Sequence, residues 1–189
     1  ANSHFTQNAG DNMSIKNGIQ HPDLYYVWIL IGSNWKNNYA YNNLWSADTT
    51  VTGGYNVGND NPVVKTVYDP CPVGFKMPAN NAFTGFTANG QNGGTKNVDG
   101  TDNPQTFQKN FGHNFWTNSS KTATIYFPAS GYRGYYEGVL PGQAYAGYYW
   151  SAVPNDTSYG CNLYSHSDRV RPRSINSRTY GYAVRPVSE

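Results

Sequence analysis

Charged residues and good helix formers are both scarce in this chain. Asp, Glu, Lys and Arg make up 13% of the 189 residues, and the formal net charge is only +2 at pH 7. So small a charge predicts that the domain as a whole does not bind nucleic acid, and the shortage of helix formers argues against a helical bundle. Aromatic residues reach 16%, with 17 Tyr and 20 Gly, a composition that disordered chains lack. We therefore expect one loop-rich domain built from short strands.

Long hydrophobic runs are missing as well. The longest, 24–31, is far shorter than the roughly 20 residues of a membrane-spanning helix, so no membrane insertion is expected. No basic segment precedes an apolar stretch, so no signal peptide is recognised. A chain that starts at Ala1 is expected to be a mature product or a fragment.

Cysteine and histidine are too sparse to define a metal or redox centre. Cys71 and Cys161 are the two cysteines, and they allow one disulfide. The polar, Asn-rich composition suits a secreted or surface protein, in which a bridge persists, but a bridge and two buried thiols are equally compatible with the sequence. The four histidines show no metal-ligand spacing, so no zinc site is predicted.

Five residue types are missing from the segment 151–188, which contains no Lys, Glu, Gln, Met or Trp, although the first 150 residues contain all five. The segment is instead rich in Tyr, Ser, Asn, Asp and Arg, and it holds five of the six arginines. Tyr and Arg supply rigid or planar contact area, while Ser, Asn and Asp supply adaptable hydrogen bonds. Arginine without lysine is unusual for solubilising charge. The composition of this segment is therefore typical of a paratope.

Short segments rich in β-branched and aromatic residues alternate with turn signals and predict a small antiparallel assembly. Ser14 is expected to cap a short helix that Pro22 ends. Three prolines and a glycine in 69–78 predict a rigid corner, and 84–110 is expected to be a surface excursion. The expected strands are 24–31, 63–68, 123–127, 131–136, 148–152, 161–164 and 182–185.

Five segments carry a resemblance to a known family. In chain order they are 12–22 (NMSIKNGIQHP), 69–78 (DPCPVGFKMP), 127–133 (FPASGYR), 148–152 (YYWSA) and 181–185 (GYAVR). Together they resemble a C-type-lectin-like family whose members lie at the C-termini of Bacteroidetes surface and fimbrial proteins. The resemblance implies an α+β, C-type-lectin-like fold over 12–189, with short antiparallel strands, one or two short helices and much irregular loop. Residues 1–11 are then an N-terminal extension or linker.

Some members of that family are similar to the variable proteins of diversity-generating retroelements, which occur in gut bacteria and their phages. In those systems the adenines of a template are replaced by any base, so Asn codons ending in C vary at their first two positions. Such codons never encode Lys, Glu, Gln, Met or Trp, the five types missing from 151–188. The resemblance implies a variable region at about 151–182 that forms a diversified ligand-binding surface.

The candidate ligand-binding residues are the positions of that region expected to project from the scaffold, on the loop after the Trp150 strand and on the loops that follow. The alternative interpretation is a polar loop pair without a strong ligand, whose arginines are solvated rather than bound to an anion. The candidates are Asn155, Asp156, Ser158, Tyr159, Tyr164, His166, Asp168, Arg169, Arg171, Arg173, Ser174, Ile175, Asn176, Ser177, Thr179 and Tyr180.

No enzyme, metal site or cofactor is predicted. Calcium prefers six to eight oxygen ligands with several carboxylates, and 154–156 lacks an acidic partner at ligand spacing. The closely spaced cysteine pair expected of the formylglycine-generating enzymes, which share the family's fold, is missing. His166 and Asp168, near two serines, fall in the presumed variable segment, where chance placement explains them better than catalysis. Tyr149 and Trp150 are assigned to the core.

The resulting hypothesis is an adhesin-type or receptor-type binding module that captures its ligand without covalent chemistry. Its partner would be a protein or glycan on another cell surface, and its location extracellular: a bacterial cell surface, a pilus tip or a phage particle. The alternative is a structural or tip subunit of a pilus or surface layer, without diversified ligand binding. That alternative predicts strand edges that accept a partner's strand and homotypic association, whereas a binding module is monomeric or a small closed oligomer.

Overall fold

The computed structural model describes residues 6–7, 20–21, 24–25, 44–48, 53, 61–86, 107, 109–135, 138–156 and 159–189. Within these ranges most regular structure is β-strand, and the strands form four small sheets. The helix whose bounds lie within these ranges is a short 3₁₀ helix. The strands are β1 (Thr6–Gln7), β2 (Leu24–Tyr25), β3 (Phe75–Lys76), β4 (Gly112–Trp116), β5 (Thr124–Pro128), β6 (Ala146–Pro154), β7 (Tyr159–His166), β8 (Arg169–Ser177), β9 (Ala183–Val184) and β10 (Val187–Ser188), and the 3₁₀ helix is Asn80–Phe83.

The largest sheet has the strand order β8-β7-β6-β9. The pairs β6–β7 and β7–β8 are antiparallel, and β9 runs parallel to β6. Successive side chains of a strand point to opposite faces, and the second half of β7 alternates accordingly: Leu163 and Ser165 are fully buried, while Tyr164 and His166 on the other face are half-buried. The two faces of this sheet are therefore distinct, and a different set of described residues packs against each face.

One face of the sheet packs against the β4–β5 hairpin. Phe115 of β4 and Phe127 of β5 contact Tyr149, Leu163 and Val170, and all five are buried. The rings of Phe127 and Tyr149 meet edge to face, with centroids 4.9 Å apart. Full burial of an apolar side chain of this size stabilises the fold by about 1.5–3 kcal/mol, so this cluster is the main core of the described residues.

On the opposite face, a second buried cluster of the described residues lies at the end where Trp150 lies. Trp150 and Ala152 pack with Val63, Cys71 and Met77, and the backbone N–H of Ala152 donates to the carbonyl of Pro78 at 2.8 Å. The assignment of Tyr149 and Trp150 to the core is confirmed, since they are 3% and 6% exposed. Towards the N-terminal end of β6 this face carries the tyrosine-rich surface described below.

The corner 69–78 is held by the buried carboxylate of Asp69. Its Oδ1 accepts from the backbone N–H of Cys71 at 2.8 Å, and its Oδ2 accepts from the backbone N–H of Met77 at 2.9 Å. Phe75–Lys76 then pairs antiparallel with Val187–Ser188 as β3 and β10. The expected rigid corner is confirmed, but it contains a two-residue strand that we did not predict.

Four expected strands are confirmed: 123–127, 148–152, 161–164 and 182–185 overlap β5, β6, β7 and β9. The strand expected at 63–68 is wrong, because the segment makes a single bridge at Lys65 and then turns, with the Asp69 N–H donating to the Thr66 carbonyl. The strand expected at 131–136 is also wrong. Gly131 has φ 70° there, and a Cβ on it would lie 2.5 Å from the Pro141 carbonyl oxygen, so the chain forms isolated bridges instead.

Several other expectations fall largely outside the described residues. These are the helix over 12–22, most of the strand over 24–31, and most of the excursion over 84–110. Within the predicted extension 1–11, Thr6–Gln7 pairs in parallel with Leu24–Tyr25. The hydroxyl of Tyr25 donates to the Thr179 carbonyl at 2.5 Å, which connects β2 to the segment after β8.

Both cysteines are free and buried, so of the two alternatives left open by the sequence the structure has two buried thiols. Burial raises the pKa of the Cys161 thiol to about 12. Burial, with the neighbouring Asp69 carboxylate, likewise raises the pKa of Cys71 to about 12. Because the thiolate is the reactive form of cysteine, neither side chain is set up as a nucleophile.

Candidate functional site

The candidate site lies on the face of the large sheet opposite the phenylalanine core. Tyr164 of β7 is paired with Tyr148 of β6 on one side and with Arg171 of β8 on the other. Residues paired across neighbouring strands point to the same face, so these three side chains form one row across the sheet. The next row places His166 between Ala146 and Arg169. The register therefore brings aromatic rings and guanidinium groups together.

Aromatic rings from β6, β7 and the segments around them form a continuous layer on this face. Tyr148 contacts Tyr164, Tyr182 and Tyr132 with ring centroids 5.0, 4.8 and 4.9 Å apart. Tyr182 also stacks on Trp150 at 4.4 Å. We call this layer the tyrosine face and define it as Tyr132, Tyr135, Tyr145, Tyr148, Tyr164, His166, Tyr180 and Tyr182.

The rings of the tyrosine face are packed on one another and partly exposed. Tyr148 and Tyr164 are half-buried, while Tyr145 is 60% exposed. Burial raises the pKa of Tyr148, Tyr164 and Tyr182 above the usual range for tyrosine. Their hydroxyls therefore keep their protons at neutral pH and act as hydrogen-bond donors and acceptors. Within the described ranges, the hydroxyls of Tyr148 and Tyr164 have no hydrogen-bond partner.

The arginines on β8 differ in how they are paired. Arg169 grips the Asp168 carboxylate with two hydrogen bonds, Nε to Oδ1 at 3.1 Å and a terminal nitrogen to Oδ2 at 2.8 Å. The hydrogen bonds from Arg169, and the His166 ring that also contacts this carboxylate, hold the pKa of Asp168 well below its usual range. Arg171 has no hydrogen-bond or ion-pair partner among the residues described. Its side chain lies half-buried in the row beside Tyr164.

His166, Ser167 and Asp168 meet at the β7–β8 turn without forming a catalytic relay. A Ser-His-Asp relay uses both ring nitrogens, one towards the serine and the other towards the carboxylate. Here Ser167 Oγ, at 3.3 Å, and the Asp168 carboxylate both contact the same nitrogen, His166 Nδ1. The Nε2–H of His113 donates to the His166 carbonyl at 2.9 Å. The cluster shapes the turn.

The structure brings six of the predicted site residues to the tyrosine face or its border: Tyr164, His166, Asp168, Arg169, Arg171 and Tyr180. It places three others at the opposite end of β7, where Asp156 Oδ1 accepts from the Tyr159 N–H at 2.8 Å and the Asn155 N–H donates to the Tyr159 carbonyl at 3.0 Å. Ser158 lies outside the described residues. The predicted residues therefore do not form one continuous patch.

The remaining candidates follow β8 and the turn after it. Asn176 donates through Nδ2 to Oδ1 of Asn162 at 3.2 Å, and Arg173 lies half-buried at an irregularity in the β7–β8 pairing. Ser177 hydrogen-bonds Thr179 through their hydroxyls at 2.9 Å. These side chains support the hairpin as well as bordering its surface.

Two expectations about these positions are wrong. We expected loops on either side of the predicted strand 161–164, but 159–166 and 169–177 form an antiparallel hairpin that buries Leu163 and Val170 on the core face. We also expected every candidate to project from the scaffold, but Ser174 is 8% and Thr179 2% exposed. Ile175 lies on the core side of β8, where it packs against Val153 and Cys161.

Several tyrosines of the tyrosine face were not among the predicted site residues. Tyr132, Tyr148 and Tyr182 lie in the segments that carry the family resemblance, and Tyr135 and Tyr145 lie between those segments. A local signal did exist, since Tyr148 and Trp150 are two residues apart, as are Tyr180 and Tyr182, and residues two apart in a strand share a face. The contact of Tyr148 and Trp150 with the second pair, through Tyr182, depends on the parallel pairing of β9 with β6.

No group of three or more His, Cys, Asp or Glu side chains in the described part of the chain is arranged to hold a metal ion. None of the helices in that part of the chain has the length and apolar character needed to cross a membrane.

Comparison with known proteins gives one match. Residues 95–187 match a protein family described as a domain of unknown function, DUF8237. The matched range contains β4 to β9, and with them the phenylalanine core and the tyrosine face. No curated protein and no solved structure matches the chain.

Proposed function

We propose that the protein is a ligand-binding module in which a C-type-lectin-like scaffold displays a recognition surface centred on the tyrosine face. The observation that carries the proposal is the row Tyr148, Tyr164 and Arg171 across three neighbouring strands. Tyr and Arg are the residues most enriched in binding hot spots. Here two tyrosine hydroxyls and one guanidinium on a single face have no partner within the described residues.

The arrangement of the family-like segments supports the lectin-like part of the proposal. Gly131 bridges to Gly147 beside the β6 segment, and Arg133 bridges to Gly181 at the start of the last segment. Ala152 of β6 is hydrogen-bonded to Pro78 at the end of the corner. Four of the five segments that carry the resemblance are thus neighbours in space. This is expected if they form the conserved frame of one family.

Rigidity of the surface supports a role in recognition. The tyrosine rings pack on one another, and the strands beneath them are fixed by the buried core. A surface that is ordered before binding loses less conformational entropy when the ligand arrives. Tyrosine adds contact area at little entropic cost because only two side-chain torsions are fixed.

Diversification of this surface by a retroelement is part of the proposal. Tyr164, His166, Arg169, Arg171 and Asn176 all belong to the set that Asn codons ending in C produce when their first two bases vary. All five lie on β7 or β8 of the large sheet, so the side chains proposed to vary are attached to a backbone held by the core. Substitutions there would change the ligand while leaving the fold intact.

A structural pilus or surface-layer subunit is the second candidate, and one observation favours it. Within the described ranges β8 pairs only with β7, so it lies at an edge of the large sheet, where a partner's strand is able to add. Pro172 lies inside β8 and has no N–H to offer, and Arg169, Arg171 and Arg173 place charges along it. Proline and charged side chains are features that protect edge strands from pairing, so binding through the tyrosine face is the better supported function.

The ligand would be a protein or glycan on another cell surface, and the protein would act outside the cell, on a bacterial surface, a pilus tip or a phage particle. The binding test is a screen of the purified chain against arrays of glycans and of surface proteins, beside the double variant Tyr148→Ala/Tyr164→Ala. Binding that the double variant loses supports the proposal. Retention of all binding by the folded double variant contradicts it.

Diversification is tested on the gene. The codons for 151–188 and the flanking DNA should include a near-copy that differs only at adenines, and the mismatches should fall at codons for Tyr164, His166, Arg169 and Arg171. A flank without such a copy, with substitutions spread over all codon positions, contradicts the retroelement and leaves an undiversified adhesin or pilus domain.

A further inference from the structure

A positive charge on the tyrosine face that no described carboxylate pairs with indicates the chemistry of the ligand. Arg169 and Arg171 both lie on this face, and Asp168 is the acidic residue beside them. The Asp168 carboxylate is already engaged by Arg169 and by His166. Arg171 is left as a half-buried cation without a carboxylate partner in the described residues. A guanidinium in this situation is suited to pair with a carboxylate, sulfate or phosphate supplied by a ligand.

The groups around Arg171 match a ligand that is also rich in hydroxyls. The nearest aromatic side chain along the row is Tyr164, and Tyr148 follows on the next strand. Their hydroxyls are unpartnered within the ranges described, and polar groups that are half-buried gain from a hydrogen-bonding ligand. Neighbouring strands lie about 4.8 Å apart, so one sugar ring is able to contact the tyrosine on β7 and the arginine on β8 together.

We infer that the tyrosine face binds an acidic carbohydrate, a sugar chain that carries carboxylate or sulfate groups. Arg171 pairs with the anionic group, the rings of Tyr148 and Tyr164 contact the apolar face of a sugar, and their hydroxyls bond to its hydroxyl groups. An acidic peptide satisfies the arginine but leaves no equivalent use for a row of unpartnered tyrosine hydroxyls. This inference rests on the proposed binding function and names its ligand class.

The test uses isothermal titration calorimetry on the purified chain with four probes. An oligogalacturonate supplies carboxylates, a heparin-derived oligosaccharide supplies sulfates, a dextran oligosaccharide is the neutral control, and poly-L-glutamate is the acidic peptide. We expect binding of at least one acidic sugar, a loss of affinity when salt is added because the ion pair is partly exposed, and no binding of dextran. Comparison of the first two probes distinguishes carboxylate from sulfate recognition.

Variants locate the binding. Arg171→Gln should weaken the acidic sugar at least tenfold and Tyr164→Phe several-fold, while Lys121→Gln, which removes one positive charge at the exposed β4–β5 turn, should leave the affinity unchanged. Circular dichroism and the thermal midpoint show that each variant is folded. Equal weakening by Lys121→Gln and Arg171→Gln indicates attraction to net charge alone and overturns the inference.

Two further outcomes overturn the inference. One is that neither acidic sugar binds, and the other is that poly-L-glutamate binds as tightly as the sugars with the same dependence on Arg171. If a neutral glycan or a protein from the arrays still binds through Tyr148 and Tyr164, the ligand class is wrong and the binding function stands. If nothing binds through those tyrosines in either experiment, both proposals fail.

Discussion

The two faces of the large sheet are built from the same strands and have opposite properties. On one face Leu163 and Val170 are fully buried against Phe115 and Phe127. On the other, one residue along each strand, Tyr164 and Arg171 are half-buried and have no hydrogen-bond partner in the described residues. The alternation of a strand thus separates a buried core from a partly exposed surface. Under the proposed function, the ligand-binding residues are attached directly to that core.

The largest expected effect is on the core face. Leu163→Ala removes a fully buried side chain and leaves a cavity, so the free energy of unfolding should fall by about 2–5 kcal/mol. Tyr164→Ala, at the adjacent position, should lower it by roughly 1 kcal/mol, because an aromatic pair contributes about 0.5–1.5 kcal/mol. Urea unfolding of both variants measures the difference. Equal losses in the free energy of unfolding would show that the two faces contribute equally to stability.

The next largest loss of stability is expected at the corner 69–78, which covers Trp150 on the same side of the sheet as the tyrosine face. Asp69→Ala leaves the backbone N–H groups of Cys71 and Met77 without their acceptor. A buried unsatisfied donor costs about 1–3 kcal/mol, so we expect a loss of roughly 2–4 kcal/mol in urea unfolding. Glu189→Gln is the control, since it alters an exposed ion pair with Lys65 and should change stability by less than about 1 kcal/mol. A similar loss in both variants contradicts the structural role of Asp69.

Alkaline pH should destabilise the fold through its buried tyrosines. Burial raises the pKa of Tyr149 and Tyr25 to about 12, whereas an unfolded tyrosine ionises near about 10. Above that lower value the unfolded chain loses protons that the folded chain keeps, so the free energy of unfolding falls as pH rises through this window. Absorbance at 295 nm should show a tyrosine class that ionises only together with the loss of circular dichroism. Full ionisation in a chain that is still folded would contradict this burial.

The buried thiols should be unreactive in the native state. With the pKa of Cys71 and Cys161 raised to about 12, almost no thiolate is present at pH 8, and both side chains are shielded from reagent. Ellman's reagent should therefore label the native chain slowly and label two thiols quickly after denaturation. Rapid native labelling of either residue would show that its side chain is accessible.

The smallest effect on stability is expected at the charged residues that border the tyrosine face. Arg171→Gln should change the free energy of unfolding by less than about 0.5 kcal/mol, as surface substitutions usually do. Asp168→Asn should lower it by less than about 1 kcal/mol, because the Arg169 pair is exposed. Thermal unfolding measures both. A large loss for Arg171→Gln would mean that its guanidinium holds the fold together, and would weaken the case for a ligand.

The sequence was sufficient to predict the strands that have strong local patterns. Segment 148–152 and the end 182–185 were predicted correctly because β-branched and aromatic residues are concentrated there. β8 was missed because Pro172 and the six polar residues of 169–177 favoured a loop, whereas pairing with β7 stabilises the segment as a strand. Ser174 and Thr179 were placed wrongly for the same reason, since their burial depends on packing between strands.

The tyrosine face shows the same limit of local prediction. Tyr164 and Arg171 were selected from composition, and the structure places them side by side. Tyr148 and Tyr182 were not selected, because their approach requires the register of β6 with β7 and the parallel contact with β9. Local pattern identifies residues suited to a surface, whereas strand register decides which of them meet.

The stacking of Tyr182 between Tyr148 and Trp150 has an optical consequence. Excited tyrosines pass energy efficiently to a tryptophan at such short range, so light absorbed across this layer is collected by the Trp150 indole and emitted there. A ligand that binds at Tyr148 alters the transfer of energy from this tyrosine without contacting the Trp150 indole. The fluorescence excited through tyrosine, compared with that excited through tryptophan alone, then reports occupancy with no label attached to the chain.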